Sequence, residues 1–163
     1  MDKHTALLNL LHRNARLDSD QLARQTGLSV AEVEAAIHRW EEDGTILGYG
    51  AIVNHERAGS KRGVTALIEV KITPERGGGF DRLAQRISKF DEVKTCYLMS
   101  GGYDLAVIVE GPDLQGVARF VAEKLSTVAG VVATATHFQL KVYKQDGFLL
   151  DKEPTVSRLA VSP

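Results

Sequence analysis

Five histidines and one cysteine are the side chains of this 163-residue sequence best suited to metal ligation or nucleophilic chemistry. His4, His12, His38, His55 and His137 are scattered, without metal-ligand spacing and without a nucleophile-base motif around any of them. Cys96 has neither a second cysteine nor a histidine at ligand spacing, and among Tyr97, Leu98 and Met99 it reads as a small core residue. These residues call for no catalysis, metal or cofactor. A different chemistry is on offer between residues 29 and 39. Ala31, Glu34, Ala35, His38 and Arg39 fall at helical spacing on one face. The two alanines allow close approach to thymine methyls, Glu34 can accept from cytosine N4, and His38 or Arg39 can reach a base or a phosphate. Ser29 stands at the start of that face, and Arg13, Arg16, Arg24, Lys61 and Arg62 are the candidate phosphate contacts.

Such a face needs a helix held at a fixed angle, and the sequence carries the start signals. Ala6, Leu7, Leu10, Leu11 and Asn14 give a first helix with one apolar stripe over residues 3–14. Asp18 then reads as an N-cap with Gln21 as its reciprocal partner and Leu17 stapled to Leu22. Eleven residues later the pattern recurs with Ser29 as cap, Glu32 as the capping-box carboxylate and Leu28 stapled to Val33. Two starts so close leave room for a short helix over Ser19–Thr26, which Gly27 can end in a left-handed conformation. Helix, short helix, tight turn and longer helix is the helix-turn-helix arrangement, although a plain helical bundle shares the pattern. Val33, Ala36, Ile37 and Trp40 should pack inward. After Gly44, the run from Thr45 to Val53 has strand propensity punctuated by glycines, as a wing or hinge strand would.

Charge complicates this reading. Nucleic-acid-binding domains are usually basic, yet residues 1–62 hold eight Lys or Arg against nine Asp or Glu, and residues 63–163 balance at twelve each. One copy should therefore bind DNA weakly, and several heads presented by an assembly would supply useful affinity through effective concentration.

The second half alternates strand and helix. Val64–Ile72 shows period-two alternation, and Phe80, Leu83, Ala84, Ile87 and Phe90 return to helical spacing. Val93 to Met99 is strand-like, Ser100–Tyr103 is a turn, and Leu105 to Val109 reads as a buried strand. Pro112-Asp113 opens a helix with Val117, Phe120, Val121, Leu125 and Val128 inward, Gly130 ends it, and Val131 to Val142 is a last strand. The order β-α-β-β-α-β is the ferredoxin-like unit, an antiparallel sheet with two helices on one face. Leu67, Leu98 and Val107 are expected on the uncovered face, which invites a second copy. The expected division is a winged helix-turn-helix over 1–53, a hinge over 54–63, a ferredoxin-like domain over 64–147 and a tail over 148–163, in an α+β chain. The first residues lack a secretory pattern and no apolar run reaches a membrane span, so a cytoplasmic protein without a membrane partner is expected.

The Gly-Leu-Ser turn at residues 27–29, the exit Asp43-Gly44-Thr45-Ile46-Leu47-Gly48-Tyr49 and the turn Gly101-Gly102-Tyr103-Asp104, in this order and separation, resemble the Lrp/AsnC family of feast/famine regulators over about residues 2–147. The resemblance implies a transcription regulator that binds double-stranded DNA. It also implies dimers that associate further, commonly to octamers as tetramers of dimers, and small effectors, usually amino acids, bound between dimers near the middle turn. Carried over, Gly101, Gly102, Tyr103 and Asp104 match that turn, while Thr134 and Thr136 resemble positions that complete the pocket from a neighbouring dimer. A glycine-rich turn exposes N–H groups that can hold a carboxylate, and Asp104 can pair with an ammonium. A plain hairpin turn with Asp104 as its capping side chain is the simpler alternative. Helix three departs from the family in carrying less basic character across Val30–Ala36. Two other readings stay open: an amino-acid sensor that no longer binds DNA, and an enzyme, since siroheme decarboxylases resemble the same two-domain architecture.

Overall fold

Each of the first three helices starts where a side chain takes up an otherwise unpaired N–H. In α1 (Lys3–Arg13) Asp2 accepts from the Thr5 N–H, and in α2 (Ser19–Thr26) Asp18 and Gln21 form the full capping box. In α3 (Val30–Glu42) Ser29 and Glu32 do the same. Gly27 closes α2 with φ of 69°, a left-handed conformation that a Cβ disfavours, and its N–H donates to the Ala23 carbonyl. The computed structural model describes residues 2–59, 63–74 and 79–150. Chain contacts divide the protein into two units, Met1–Ile52 and Val53–Pro163.

In the first unit Leu7, Leu11, Leu22, Ala23, Val33, Ala36 and Trp40 form the core, with Leu17, Leu28 and Ile37 packed against it. Both expected staple residues, Leu17 and Leu28, therefore sit beside the helices they introduce. Burying each large aliphatic side chain contributes about 1.5–3 kcal/mol, so three short helices hold one another through a single small core. The segment expected as a wing strand differs. No strand forms between Thr45 and Val53 among the described residues. The Ile46 N–H donates to the Trp40 carbonyl (2.8 Å), after which the chain runs irregularly with Leu47 95% and Tyr49 55% exposed. Strand propensity needs a neighbouring strand to complete a ladder, and the first unit forms no strand among its described residues.

The second unit is built on β1 (Val64–Ile72), whose Ala66, Ile68, Val70 and Ile72 are buried while Leu67 and Lys71 are exposed. It pairs antiparallel with β3 (Leu105–Gly111) on one side and β4 (Val131–Phe138) on the other, and β2 (Val93–Leu98) pairs with β3. The sheet order β2-β3-β1-β4 with α4 (Asp81–Ile87) and α5 (Leu114–Phe120) is the ferredoxin-like arrangement expected from the alternation of elements. Core residues Leu83, Ile87, Val117, Phe120 and Leu125 pack against Ile68, Val70, Val107 and Val109.

Three details correct the sequence reading. Val107 is fully buried with the helices, because it pairs with Ile68 in register, and Leu98, opposite Leu105, points to the same side; Ala106 and Ile108 take the opposite face with Leu67. The last long strand stops at Phe138 rather than Val142, and a separate hairpin follows, β5 (Lys144–Gln145) and β6 (Phe148–Leu149). Its turn is Asp146-Gly147, both with positive φ, the two-residue form that suits antiparallel strands, so it spans the expected domain limit at residue 147. Finally, α5 does not continue as an α-helix. Residues Val121–Leu125 form a π-helical turn in which the Ser126 N–H donates to the Val121 carbonyl (2.9 Å).

Candidate functional site

Burial of Val33, Ala36 and Trp40 turns the opposite side of α3 outward, and Ala31, Glu34, Ala35, His38 and Arg39 are all exposed there. The capping box fixes where this face begins. Ser29 is exposed, but its hydroxyl donates to Glu32 Oε2 (2.8 Å) and accepts from the Glu32 N–H (3.2 Å), so the cap consumes it. The Ser29 backbone N–H, then its hydroxyl, hold the Glu32 carboxyl below the usual glutamate range, with Lys3 and His4 adding attraction. Toward the far end His38 Nε2 lies 3.4 Å from Glu42 Oε1 one turn on. Thr45, through its hydroxyl and its N–H, holds Asp43 low, an exposed anion close to Arg39. Tyr49 donates its hydroxyl to Glu41 Oε1 (2.8 Å), and burial and that carboxylate push its phenol up. The negative charge thus gathers at the C-terminal end of α3, away from the face's start.

Arg13 in the last turn of α1, Arg16 in the following loop and Arg24 in the last turn of α2 are exposed. Lys61 and Arg62 lie outside the described residues. The sequence reading missed Lys3. Its ammonium donates to the Gly27 carbonyl oxygen at 2.6 Å, tying the start of α1 to the turn between α2 and α3. No periodicity announces this contact, since a lysine in the first turn of a helix opposes the helix dipole and reads as a solvated residue.

In the second unit the turn between β2 and β3 exposes Gly101, with φ of 139°, and Gly102, while Tyr103 and Asp104 are half-buried. Asp104 closes the turn through its carbonyl, which accepts from the Met99 N–H (2.8 Å). Its N–H donates to the Val70 carbonyl (3.0 Å), and Oδ2 accepts from the Ile72 N–H (2.8 Å). Asp104 therefore does the capping work of the simpler alternative, with no partner for Oδ1 among the described residues. Thr134 and Thr136, half-buried on β4, pair with Val70 and Ile68 on the other side of β1. Two strand spacings, roughly 10 Å, separate Thr134 from Asp104 across that strand. A single chain does not bring the threonines against the turn.

Cys96 is half-buried against the sheet core, and burial pushes its thiol up. No helix among the described residues is long and apolar enough to cross a membrane.

The sequence model of the Lrp/AsnC ligand binding domain matches residues 65–149. The chain is 44% identical over 162 residues to the HTH-type transcriptional regulator YugG of Bacillus subtilis, covering 99% of this chain and 98% of that one. It is 31% identical to the proline dehydrogenase transcriptional activator of Rhodobacter capsulatus, over 83% of this chain and 86% of the relative. Among solved structures, the leucine response regulatory protein LrpA of Mycobacterium tuberculosis superposes with a TM-score of 0.73 at 23% identity, covering 93% and 99% of the two chains. The regulator NMB0573 of Neisseria meningitidis, solved as an L-Met complex, gives 0.65 at 24% identity, over 89% and 92%. The chain belongs to the Lrp/AsnC family of transcription regulators.

Proposed function

We propose that the protein is a DNA-binding transcription regulator whose assembly and DNA binding respond to a free amino acid. The observation that carries this reading is α3: a helix whose start is fixed by a capping box, with Val33, Ala36 and Trp40 buried and Ala31, Glu34, Ala35, His38 and Arg39 turned outward. Its relatives' names, a proline dehydrogenase activator and an HTH-type regulator, support the class. Ala31 and Ala35 approach the groove closely, Glu34 and His38 read base edges, and Arg13, Arg16, Arg24 and Arg39 grip phosphate together with Lys61 and Arg62. The near-zero net charge makes each head a weak binder, so several copies engage repeated sites together.

Dimers of the chain assemble further into an octamer. In it, Gly101, Gly102, Tyr103 and Asp104 of one copy hold the effector's carboxylate and ammonium while Thr134 and Thr136 come from a neighbouring dimer. Their separation across β1 within one chain supports a pocket shared between copies. The effector acts by favouring one assembly over another.

The test is binding of purified protein to its own promoter fragment by fluorescence anisotropy, with and without each amino acid, across a salt series. Salt-sensitive, sequence-preferring binding that shifts with one amino acid is expected; absence of any sequence preference at low salt in all conditions refutes it. A second reading, a sensor that has lost DNA binding, is favoured by one observation, the acidic stretch Glu41, Glu42 and Asp43 at the end of α3. Replacing Arg24 and Arg39 by Ala abolishes promoter occupancy under the first reading and changes nothing under the second.

A further inference from the structure

At the end of β3 opposite the Gly101–Asp104 turn, a cleft of about 290 Å³ opens between the loop at Glu92, the β3 end and the wall formed by α5 and its π-helical turn. Seven residues of β3 put roughly 20 Å between this cleft and the turn. Val109, Val117 and Phe120 line it with apolar surface, all three belonging to the buried core. Its polar rim holds Glu92, Arg119 and Lys124, and Glu110 and Glu123 add negative charge.

Two features of this cleft are unexplained by the fold. Glu92 gives one oxygen to Lys124, Oε1 to Nζ at 2.6 Å, but the other, Oε2, is buried without a hydrogen-bond partner. A buried carboxylate oxygen left unpaired is costly, and natural structures leave few of them. The second feature is the π-helical turn Val121–Leu125, which carries Glu123 and Lys124 onto the cleft wall. A π-turn widens the helix at a cost in local stability, and such turns occur most often at functional sites. Arg119, one turn earlier on the same wall, is exposed and makes no ion pair among the described residues.

An unsatisfied carboxylate oxygen, a guanidinium with no anion among the described residues and an apolar floor, all lining one cleft, match the two charged ends and the side chain of a zwitterion. The volume is at the small end for ligand sites, which suits a molecule of few heavy atoms. We propose that this cleft is a second amino-acid site, contained within one subunit. The ligand's ammonium donates to Glu92 Oε2, its carboxylate pairs with Arg119, and a short apolar side chain lies over Val109, Val117 and Phe120. The site is distinct from the effector turn in position and in residues, so one chain can report two amino-acid levels.

The experiment is hydrogen–deuterium exchange on the full chain, adding each free amino acid in turn and following peptides that span residues 109–125. At least one apolar amino acid slows exchange there. Glu92→Gln keeps the size and removes the charge, and weakens this protection about tenfold or more in apparent affinity. Arg119→Ala, at an exposed position that folding does not need, weakens binding of the amino acid but not of its decarboxylated amine. Asp104→Asn leaves the protection in place. Any of three results overturns the proposal. No amino acid protects the segment, or protection is undiminished in both Glu92→Gln and Arg119→Ala, or it disappears in Asp104→Asn and so is relayed from the other turn.

Discussion

Replacing Lys3 by Met separates two roles that a lysine near DNA can play. Lys3 Nζ donates to the Gly27 carbonyl at 2.6 Å, so its charge is spent on the turn that aims α3. A hydrogen bond from a charged donor is worth about 1.5–3 kcal/mol when sheltered, and exposure to solvent reduces this one to about 1 kcal/mol. Methionine keeps the aliphatic stem and removes only the donor. The sequence has one tryptophan, Trp40, which is 8% exposed in the core of the first unit with His4 edge-on at 6.3 Å, so its fluorescence reports melting of that unit alone. A loss of about 1 kcal/mol lowers the midpoint by about 5 °C in a domain of this size. Promoter affinity falls at most about fivefold per head, the equivalent of the same energy. The decisive quantity is the slope of log affinity against log salt. A phosphate contact contributes about 0.9 to that slope, whereas a residue spent on the turn contributes nothing. Lys3→Met should therefore weaken binding with the slope unchanged. A slope that drops by about one, with the Trp40 transition unmoved, refutes the assignment and makes Lys3 a phosphate ligand.

Arg24→Ala and Arg39→Ala give the opposite pattern: each lowers the salt slope by about 0.9 with the Trp40 transition unchanged, as anisotropy titrations at several salt concentrations will show. Asp104→Asn keeps an acceptor for the Ile72 N–H and removes the charge, so it retains the fold and promoter binding but loses the thermal shift given by the effector. Asp104→Ala loses the acceptor as well and costs a further ~1 kcal/mol of stability in the second unit. Gly27→Ala forces a Cβ into a left-handed position and destabilises the first unit by about 1 kcal/mol, measured again through Trp40. The Lys124 ammonium holds the Glu92 carboxyl below the usual glutamate range. Its contribution to stability is present above the unfolded-state value near 4.5 and is lost as pH falls through the lowered folded value. Acid unfolding followed by circular dichroism should accordingly show a shallower pH dependence in Glu92→Gln.

What the sequence made legible was local. The caps at Asp18 and Ser29 satisfy N–H groups within three residues, so the pattern alone locates both helix starts, and the β1 alternation is read from residues 64–72 without any partner. What it hid depends on neighbours far along the chain. Thr45–Val53 has strand composition but forms no ladder among the described residues. Val107 looks like any residue of an apolar run until its register with Ile68 assigns it a face. The strand from Val131 ends at Phe138 with one last bond, from the Gln139 N–H to the Thr65 carbonyl, although its composition continues to Val142. Asp104 was found through its turn, but its bond to the Ile72 N–H joins residues 32 apart and no spacing rule reveals it. Glu92 and Lys124, also 32 apart, escaped for the same reason.

The position of β1 also sets a timetable. This strand comes first in its unit, yet its two partners, β3 and β4, end at Gly111 and Phe138, so its ladder cannot close until most of the chain has left the ribosome. The three helices before it make short-range contacts and, like other low-contact-order units, fold in microseconds to milliseconds. A nascent chain should therefore carry a finished helical head while Ala66, Ile68 and Val70 are still uncovered, an interval in which a neighbouring nascent copy is the hazard and synthesis speed is the safeguard.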